Sequence, residues 1–188
     1  YCSIQKFHNA LHDTGHFATI RPHCIEALCR TTHFAECRAV VANRDVLLHA
    51  PITNKAMALA ERAYTILHGE RGELIGNFTI LHRELNSHTS IILEDIPQGE
   101  ILESAMLTMS QDKLLSGLKE FEERMRRADI SHNNLRKQNI VVDRNGYWHP
   151  IRLYYTTIGY GGDSRELETL YAEIKRVAPV DDCLNEPL

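Results

Sequence analysis

Apolar residues recur at helical spacing in three stretches of the chain. In TNKAMALAERAYTILHG they lie three or four positions apart, and Gly69 stands where such a helix would end. The same spacing runs through SQDKLLSGLKEFEERMRRA and SRELETLYAEIKRVA. The N-cap candidates are Thr53 or Asn54, Ser110, and Asp163 or Ser164. The pattern predicts three amphipathic helices.

Runs of β-forming residues, separated by polar turns, predict strands around these helices. Three runs precede the first helix, two follow it, and two flank Arg144-Asn145-Gly146, where Asn-Gly favours a tight hairpin turn. The runs are 25–30, 36–41, 46–52, 77–81, 89–96, 139–143 and 147–155. This order predicts an α+β protein whose β-rich N-terminal half and mainly helical C-terminal half meet near residues 97–99.

The composition is that of an ordinary globular chain. Its 188 residues are 43% apolar and 24% charged, which suits one domain or two small lobes. The net charge of −4 argues against general nucleic-acid binding, and no apolar run approaches the roughly 18 residues of a membrane span. We therefore expect neither nucleic acid nor membrane among the partners.

The cysteines and histidines form no strong metal-binding pattern. The cysteines include no CxxC pair and indicate reduced thiols in a cytoplasmic protein. His8, His12 and His16 would share one helical face, but no carboxylate or cysteine completes a metal set, so a structural role is favoured. The cysteines are Cys2, Cys24, Cys29, Cys37 and Cys183.

One loop carries recognisable chemistry. The segment HNNLRKQN (132–139), followed by the apolar IVVD, resembles the catalytic loop of protein kinases, which reads H-R-D-L-x-x-x-N before an apolar strand. His132, Leu135 and Asn139 match that pattern at the right spacing. Upstream, TSIILEDIPQGEIL resembles the kinase hinge, whose backbone binds adenine, and it places Leu93, Glu94 and Ile96 beside the cleft.

The resemblance covers residues 23–175 and implies a two-lobed protein kinase-like fold. It implies an N-terminal extension over 1–22, a β-rich N-lobe over 23–97, a truncated and mainly helical C-lobe over 98–178, and a tail over 179–188. Only 56 residues follow His132. The later helices of a kinase C-lobe are therefore missing.

The departures from the family pattern fall on its chemistry. The catalytic aspartate, which accepts the substrate proton, is replaced by Asn134, and an amide cannot act as that base. The metal-binding aspartate aligns with Arg152, whose cation would repel Mg²⁺. The phosphate-pairing lysine aligns with His49, and the glycine-rich loop aligns with residues 30–35, which contain no glycine. Asn139 alone matches among the polar catalytic positions.

Several remnant side chains admit two interpretations. In the family, a glutamate on the first helix pairs with the missing lysine, so one hypothesis is that Glu61 pairs with Arg152 instead; otherwise Glu61 simply faces water. His49 is either a pH-sensitive group or an ordinary strand histidine. Asn139 either binds a metal or nucleotide or ties the loop backbone together, and the second role is favoured. We expect His132 to anchor the loop to neighbouring backbone.

These departures predict a non-catalytic, kinase-like binding or regulatory module that acts through an unknown protein partner, as a scaffold does. No cofactor is expected beyond weak binding of ATP or ADP. The alternative is a metal-independent nucleotide sensor, or an unconventional transferase, whose cleft His49, Asn134, Asn139 and Arg152 would line. A third interpretation is a structural domain of a larger chain, in which the likeness to kinases is coincidental.

Overall fold

The computed structural model describes residues 29–30, 34–41, 43–51, 53–76, 78–81 and 91–177. Several sequence predictions lie outside these residues. They are the histidine face formed by His8, His12 and His16, the cysteines Cys2, Cys24 and Cys183, residues 31–33 of the glycine-free loop, and the tail over 179–188.

A five-stranded antiparallel sheet forms the first layer. Its strands are β1 (Cys29–Arg30), β2 (Phe34–Val41), β3 (Arg44–Pro51), β4 (Phe78–Leu81) and β5 (Ile91–Asp95). They lie in the order β1-β2-β3-β5-β4. Glu36 lies opposite His49, and Leu47 lies opposite Glu94. Directly opposite residues point to the same side of a sheet, and so do residues two positions apart on one strand, such as Leu47 and His49. This register therefore places Glu36, His49 and Glu94 on one face.

Two helices follow β3, where the sequence predicts one. Helix α1 (Asn54–Leu67) begins as expected, since Thr53 accepts a hydrogen bond from the Ala56 amide at 3.1 Å. The chain turns at Gly69, which has φ 101°, and a short helix α2 (Glu70–Ile75) starts immediately. Sequence periodicity missed α2 because six residues are too few to show a period.

The second half of the chain combines helices with small antiparallel pairings. The helices are α3 (Leu102–Thr108), α4 (Gln111–Ala128) and α5 (Ser164–Arg176). The strands are β6 (Glu100–Ile101), β7 (Ile130–Ser131), β8 (Ile140–Val142), β9 (Trp148–Pro150) and β10 (Thr157–Ile158). Strands β6, β8 and β9 form one sheet, β7 and β10 another. Ser110 caps α4 as predicted, at 3.3 Å from the Lys113 amide.

A buried arginine holds α4 against its neighbours. The guanidinium of Arg124 is bound by Glu120 and donates to the carbonyl oxygens of Leu74 and Trp148. Its planar group also lies 3.8 Å from the centre of the Tyr147 ring. This side chain therefore joins α2, α4 and β9, and the carboxylate of Glu120 neutralises its charge.

One apolar cluster runs through both halves of the chain. It includes Phe34 of β2, Leu118 of α4 and Tyr154, which follows β9. The protein is thus mixed α and β with antiparallel sheets, which is compatible with the predicted α+β class. None of the helices described between residues 29 and 177 has the length and apolar character needed to span a membrane.

Candidate functional site

The candidate site is a cleft of about 420 Å³ between the five-stranded sheet and the segment that follows β9. Its apolar side chains include Leu47, Ile96, Val141 and Ile151, and its polar end holds Glu36, Arg38 and Arg152. Of the predicted hinge residues, Ile96 lines this cleft. Leu93 alternates with Glu94 along β5 and therefore faces the other side of the sheet.

The backbone of Arg152 is fixed in an unusual conformation. Its φ and ψ are 58° and 54°, in the left-handed region that L-residues seldom adopt. The carboxylate of Glu94 accepts hydrogen bonds from the amides of Arg152 and Leu153, the second at 3.0 Å. Glu94 is almost fully buried. The buried carboxylate of Glu94, on β5, thus fixes the backbone turn at Arg152.

The Arg152 side chain binds Glu36, and the predicted Glu61–Arg152 pair is wrong. Its Nε and Nη2 atoms donate to the two Glu36 carboxylate oxygens at 2.7 and 2.9 Å, a bidentate ion pair. Glu61 lies on the exposed side of α1. The correction follows from the sheet register, because β2 carries Glu36 on the face that looks toward Arg152 whereas α1 turns its alanines inward.

The same guanidinium also contacts the loop that resembles the kinase catalytic loop. Arg152 Nη1 donates to Asn139 Oδ1 and to the Gln138 carbonyl oxygen, each at 3.0 Å. Four donor contacts of Arg152 are therefore made within the protein. A guanidinium offers five N–H donors, so few remain for a ligand.

His49 lies beside this ion pair and is fully buried. Its Nδ1 atom is 3.3 Å from Glu36 Oε1, close enough for an ion pair but poorly aligned for a hydrogen bond. The rings of Phe34 and Tyr154 pack around the imidazole, with centroids 6.3 and 5.2 Å away. Among the described residues, no group hydrogen-bonds to Nε2.

The pKa values of the two carboxyl groups of the site are shifted in opposite directions. Desolvation would raise the pKa of Glu36, but His49 and Arg152 outweigh it and lower that pKa to about 2. Glu94 has its pKa raised, mainly by burial, and the nearby amides and cations only partly oppose this. Glu36 therefore stays ionised until the pH falls toward 2, while Glu94 is a carboxyl group that holds a proton more readily than usual.

The loop over 132–139 is held by its own polar side chains. Asn139 Nδ2 donates to the Asn134 carbonyl oxygen at 2.7 Å, which agrees with the structural role favoured for Asn139. His132 Nε2 lies 2.8 Å from the Ile151 carbonyl oxygen, and its pKa is lowered by burial. His132 is thus an anchor between the loop and the chain before Arg152, as expected.

Asp163 secures the other side of this loop. Its carboxylate accepts the amides of His132 and Asn133 at 2.5 and 2.8 Å. Asp163 is the N-cap residue of α5, as the sequence predicts, but its side chain makes no capping bond to that helix. Its carboxylate positions the loop instead.

The groups around Asn139 are an amide-bearing loop and a cation. The Asn139 side chain donates to the Asn134 carbonyl oxygen and accepts from the guanidinium of Arg152. Within the part of the chain that the structure describes, no three His, Cys, Asp or Glu side chains are grouped to hold a metal ion. The arrangement is suited to holding two layers together through charge.

Sequence reasoning missed Glu36, the structural role of Glu94 and the loop contact of Asp163. One signal for Glu36 is present in FAECRAVV, where a carboxylate shares a strand face with Phe34. A charged residue on the apolar face of a strand needs a buried partner. That partner, Arg152, lies 116 positions away and leaves no local pattern.

Comparisons with known proteins add no assignment to this geometry. The chain matches no protein-family model, and it matches no curated protein. The interpretation of the site therefore rests on its residues and their contacts.

Proposed function

We propose that this chain is a non-catalytic, kinase-like regulatory or scaffolding module that acts through contacts with a partner protein. The proposal includes a two-lobed arrangement, with the five-stranded sheet and α1 in the first lobe and the elements from β6 onward in the second. The antiparallel sheet, the cleft beside it and the histidine- and asparagine-anchored loop support this arrangement.

The observation that carries the proposal is the position of the Arg152 guanidinium. In the family that the sequence resembles, the residues aligned with Asn139 and Arg152 bind Mg²⁺. Here Arg152 Nη1 lies 3.0 Å from Asn139 Oδ1, and its other edge is neutralised by Glu36. An internal cation therefore contacts the oxygen that a metal would use. A second, divalent cation at this place would be repelled.

The alternative of metal-independent phosphate binding has less support. It would require Arg152 and His49 to hold phosphate oxygens. The Arg152 donors are already bound by Glu36, Asn139 and Gln138, and His49 is fully buried behind Glu36. A phosphate would have to displace a bidentate carboxylate, so the geometry favours the non-catalytic module.

Exposed apolar side chains offer surface for a protein partner. Leu107 is 80% exposed, Ile158 60% and Tyr171 51%, and all three lie in the second half of the chain. Tyr147 and Tyr160 are also partly exposed, whereas Trp148 and Tyr154 are buried in the core. Of these four aromatic side chains, only Tyr147 and Tyr160 therefore remain for contacts with a partner.

A phosphate-transfer assay tests the proposal. The full chain is incubated with γ-labelled ATP and Mg²⁺ or Mn²⁺, alone and with a general protein substrate such as casein. We expect no labelled product above a protein-free control. Labelled product that disappears in an Asn139→Ala variant, purified in parallel, would overturn the proposal. Product that persists equally in that variant would identify a contaminating kinase.

A further inference from the structure

The apolar part of the cleft has walls from both halves of the chain. Leu47 of β3, Val141 of β8 and Ile151 after β9 form a small buried cluster of their own. Ile96 and Ile101 pack against this cluster, are only partly buried and line the cleft. The cleft volume of about 420 Å³ lies within the roughly 300–1,000 Å³ of small-molecule sites. The cleft therefore has room for an apolar body such as a pair of fused rings.

One cation at the polar end of the cleft is not used by the protein. Arg38 lies on β2 two positions from Glu36, so both side chains share the sheet face that lines the cleft. Arg38 is exposed, and no residue that the structure describes forms an ion pair or a hydrogen bond with its guanidinium. Arg152, by contrast, is bound by both carboxylate oxygens of Glu36. A ligand can therefore reach Arg38 without displacing an internal partner.

The carboxyl groups around Arg38 limit the charge that a ligand can carry. Glu36 stays beside Arg38 as an anion paired with Arg152. Glu94 is turned to the amides of Arg152 and Leu153, and Asp45, diagonally opposite Arg38 on β3, is exposed to solvent. One available positive charge beside these carboxyl groups favours a ligand with a single negative charge over one with several, such as a nucleoside triphosphate.

The segment after β5 offers hydrogen-bond donors sparingly. The amide of Ile96 donates to the Asp45 carbonyl oxygen at 2.9 Å, and Pro97 has no N–H. A Cβ atom at Gly99 would come within 2.3 Å of the Val142 carbonyl oxygen, so this segment lies directly against β8. Contact with this wall of the cleft is therefore mainly apolar, which favours a ligand body without polar edges over a nucleobase.

We propose that the cleft is a binding site for a small organic carboxylate, with its apolar body between Ile96 and Ile101 and its carboxylate on the guanidinium of Arg38. Arginine binds a carboxylate through two parallel N–H donors, so the site orients its ligand. The inference goes beyond the proposed function, because it assigns to the cleft a ligand that takes no part in phosphate transfer. By contacting both halves of the chain, this ligand stabilises the native protein.

Two probes of nearly equal shape test the role of the charge. 2-Naphthoate has an apolar body and one carboxylate, and 2-naphthamide has a neutral amide in its place. Each probe is titrated at pH 7 into the full ¹⁵N-labelled chain, and the backbone amide signals are followed by NMR. We expect saturable shifts at the amides of Ile96, Ile101, Val141 and Ile151, and a Kd for 2-naphthoate about fivefold lower than for 2-naphthamide.

Variants separate the charge from the apolar wall. Arg38→Gln removes an exposed charge and keeps a polar side chain, so it should bind the two probes with equal affinity. Arg62→Gln, at an exposed arginine of α1, is the matched control and should keep the preference for 2-naphthoate. Ile96→Ala should weaken both probes by about fourfold, the effect of one buried methylene group, and leave their ratio unchanged.

Three results would overturn the inference. The first is an absence of saturable shifts at the cleft amides with 2-naphthoate at millimolar concentration. The second is equal affinity of the native chain for the two probes, and the third is a preference for 2-naphthoate that persists in Arg38→Gln. None of these results depends on the phosphate-transfer assay, so failure of the carboxylate site and failure of the proposed function are distinguishable.

Discussion

The guanidinium of Arg152 binds both carboxylate oxygens of Glu36, at 2.7 and 2.9 Å, across 116 positions of sequence. The contact joins strand β2 to the turn after β9 and closes the polar end of the cleft. The glutamate is nearly buried and the arginine is about a quarter exposed. An ion pair in this position contributes to the contact between the two halves and neutralises a buried charge.

Removing Arg152 should destabilise the protein strongly. Arg152→Ala leaves Glu36 as a buried, uncompensated anion, and we expect a loss of about 3 kcal/mol in the free energy of unfolding. Urea denaturation at pH 7 measures it. The matched control is Arg44→Ala, which breaks the exposed Arg44–Asp95 pair at 3.1 Å and should cost less than about 1 kcal/mol. Equal losses in the two variants would contradict this account of the pair.

Glu36 should make the protein sensitive to acid. Its pKa is lowered from 4.5 to about 2, so its contribution is complete above its ordinary pKa and is lost as the pH falls toward 2. The stability difference between the native chain and Glu36→Gln should therefore shrink by about 3 kcal/mol from pH 5 to pH 2. Denaturation curves at half-unit intervals test this. Parallel pH profiles for the two proteins would count against the low pKa.

Asp163 should matter more to the loop than to its own helix. Its carboxylate accepts two amides, and in Asp163→Asn one acceptor oxygen becomes an NH₂ group facing an N–H donor. We expect a loss of about 2 kcal/mol, read from chemical denaturation. Asp112→Asn, in the exposed first turn of α4, serves as the control and should change stability by less than about 1 kcal/mol. An Asp163→Asn variant as stable as the native chain would show that the loop does not depend on this carboxylate.

Gly117 should not tolerate alanine, although it lies within a helix. A Cβ atom there would come within 2.3 Å of the Gly146 carbonyl oxygen and 2.5 Å of Trp148 Nε1. Alanine favours a helix by about 1 kcal/mol, but the clash with the hairpin should outweigh this and give a net loss of about 1–2 kcal/mol. Thermal unfolding shows whether Gly117→Ala stabilises or destabilises the protein. A more stable Gly117→Ala would mean that α4 and the hairpin separate easily.

The elements with a long apolar period were predictable from the sequence. Helices α1, α4 and α5 follow their patterns, and the turn at 144–146 joins β8 to β9 as Asn-Gly indicates. Helices α2 and α3 were missed because six and seven residues are too short for the periodicity to show. For helices, local pattern is therefore informative here mainly above a length of about three turns.

The candidate site was predictable in some of its positions but not in its pairings. Sequence alignment with the kinase pattern identified Asn139 and Arg152, and the structure places them in contact. The hypothesis of a Glu61–Arg152 pair is wrong, because strand register brings Glu36 to Arg152. The strand pattern marks Glu36 as a carboxylate that needs a partner, but the identity of a partner 116 positions away leaves no local signal.

Binding of a divalent cation tests the central claim most directly. Mn²⁺ is titrated into the native chain with ADP and followed by its electron paramagnetic resonance signal, beside an Arg152→Asp variant that offers a carboxylate next to Asn139. The account predicts that the native chain leaves the signal of free Mn²⁺ and Mn²⁺·ADP unchanged, because the guanidinium excludes the metal. One tightly bound Mn²⁺ per native chain, lost in Asn139→Ala, would contradict it.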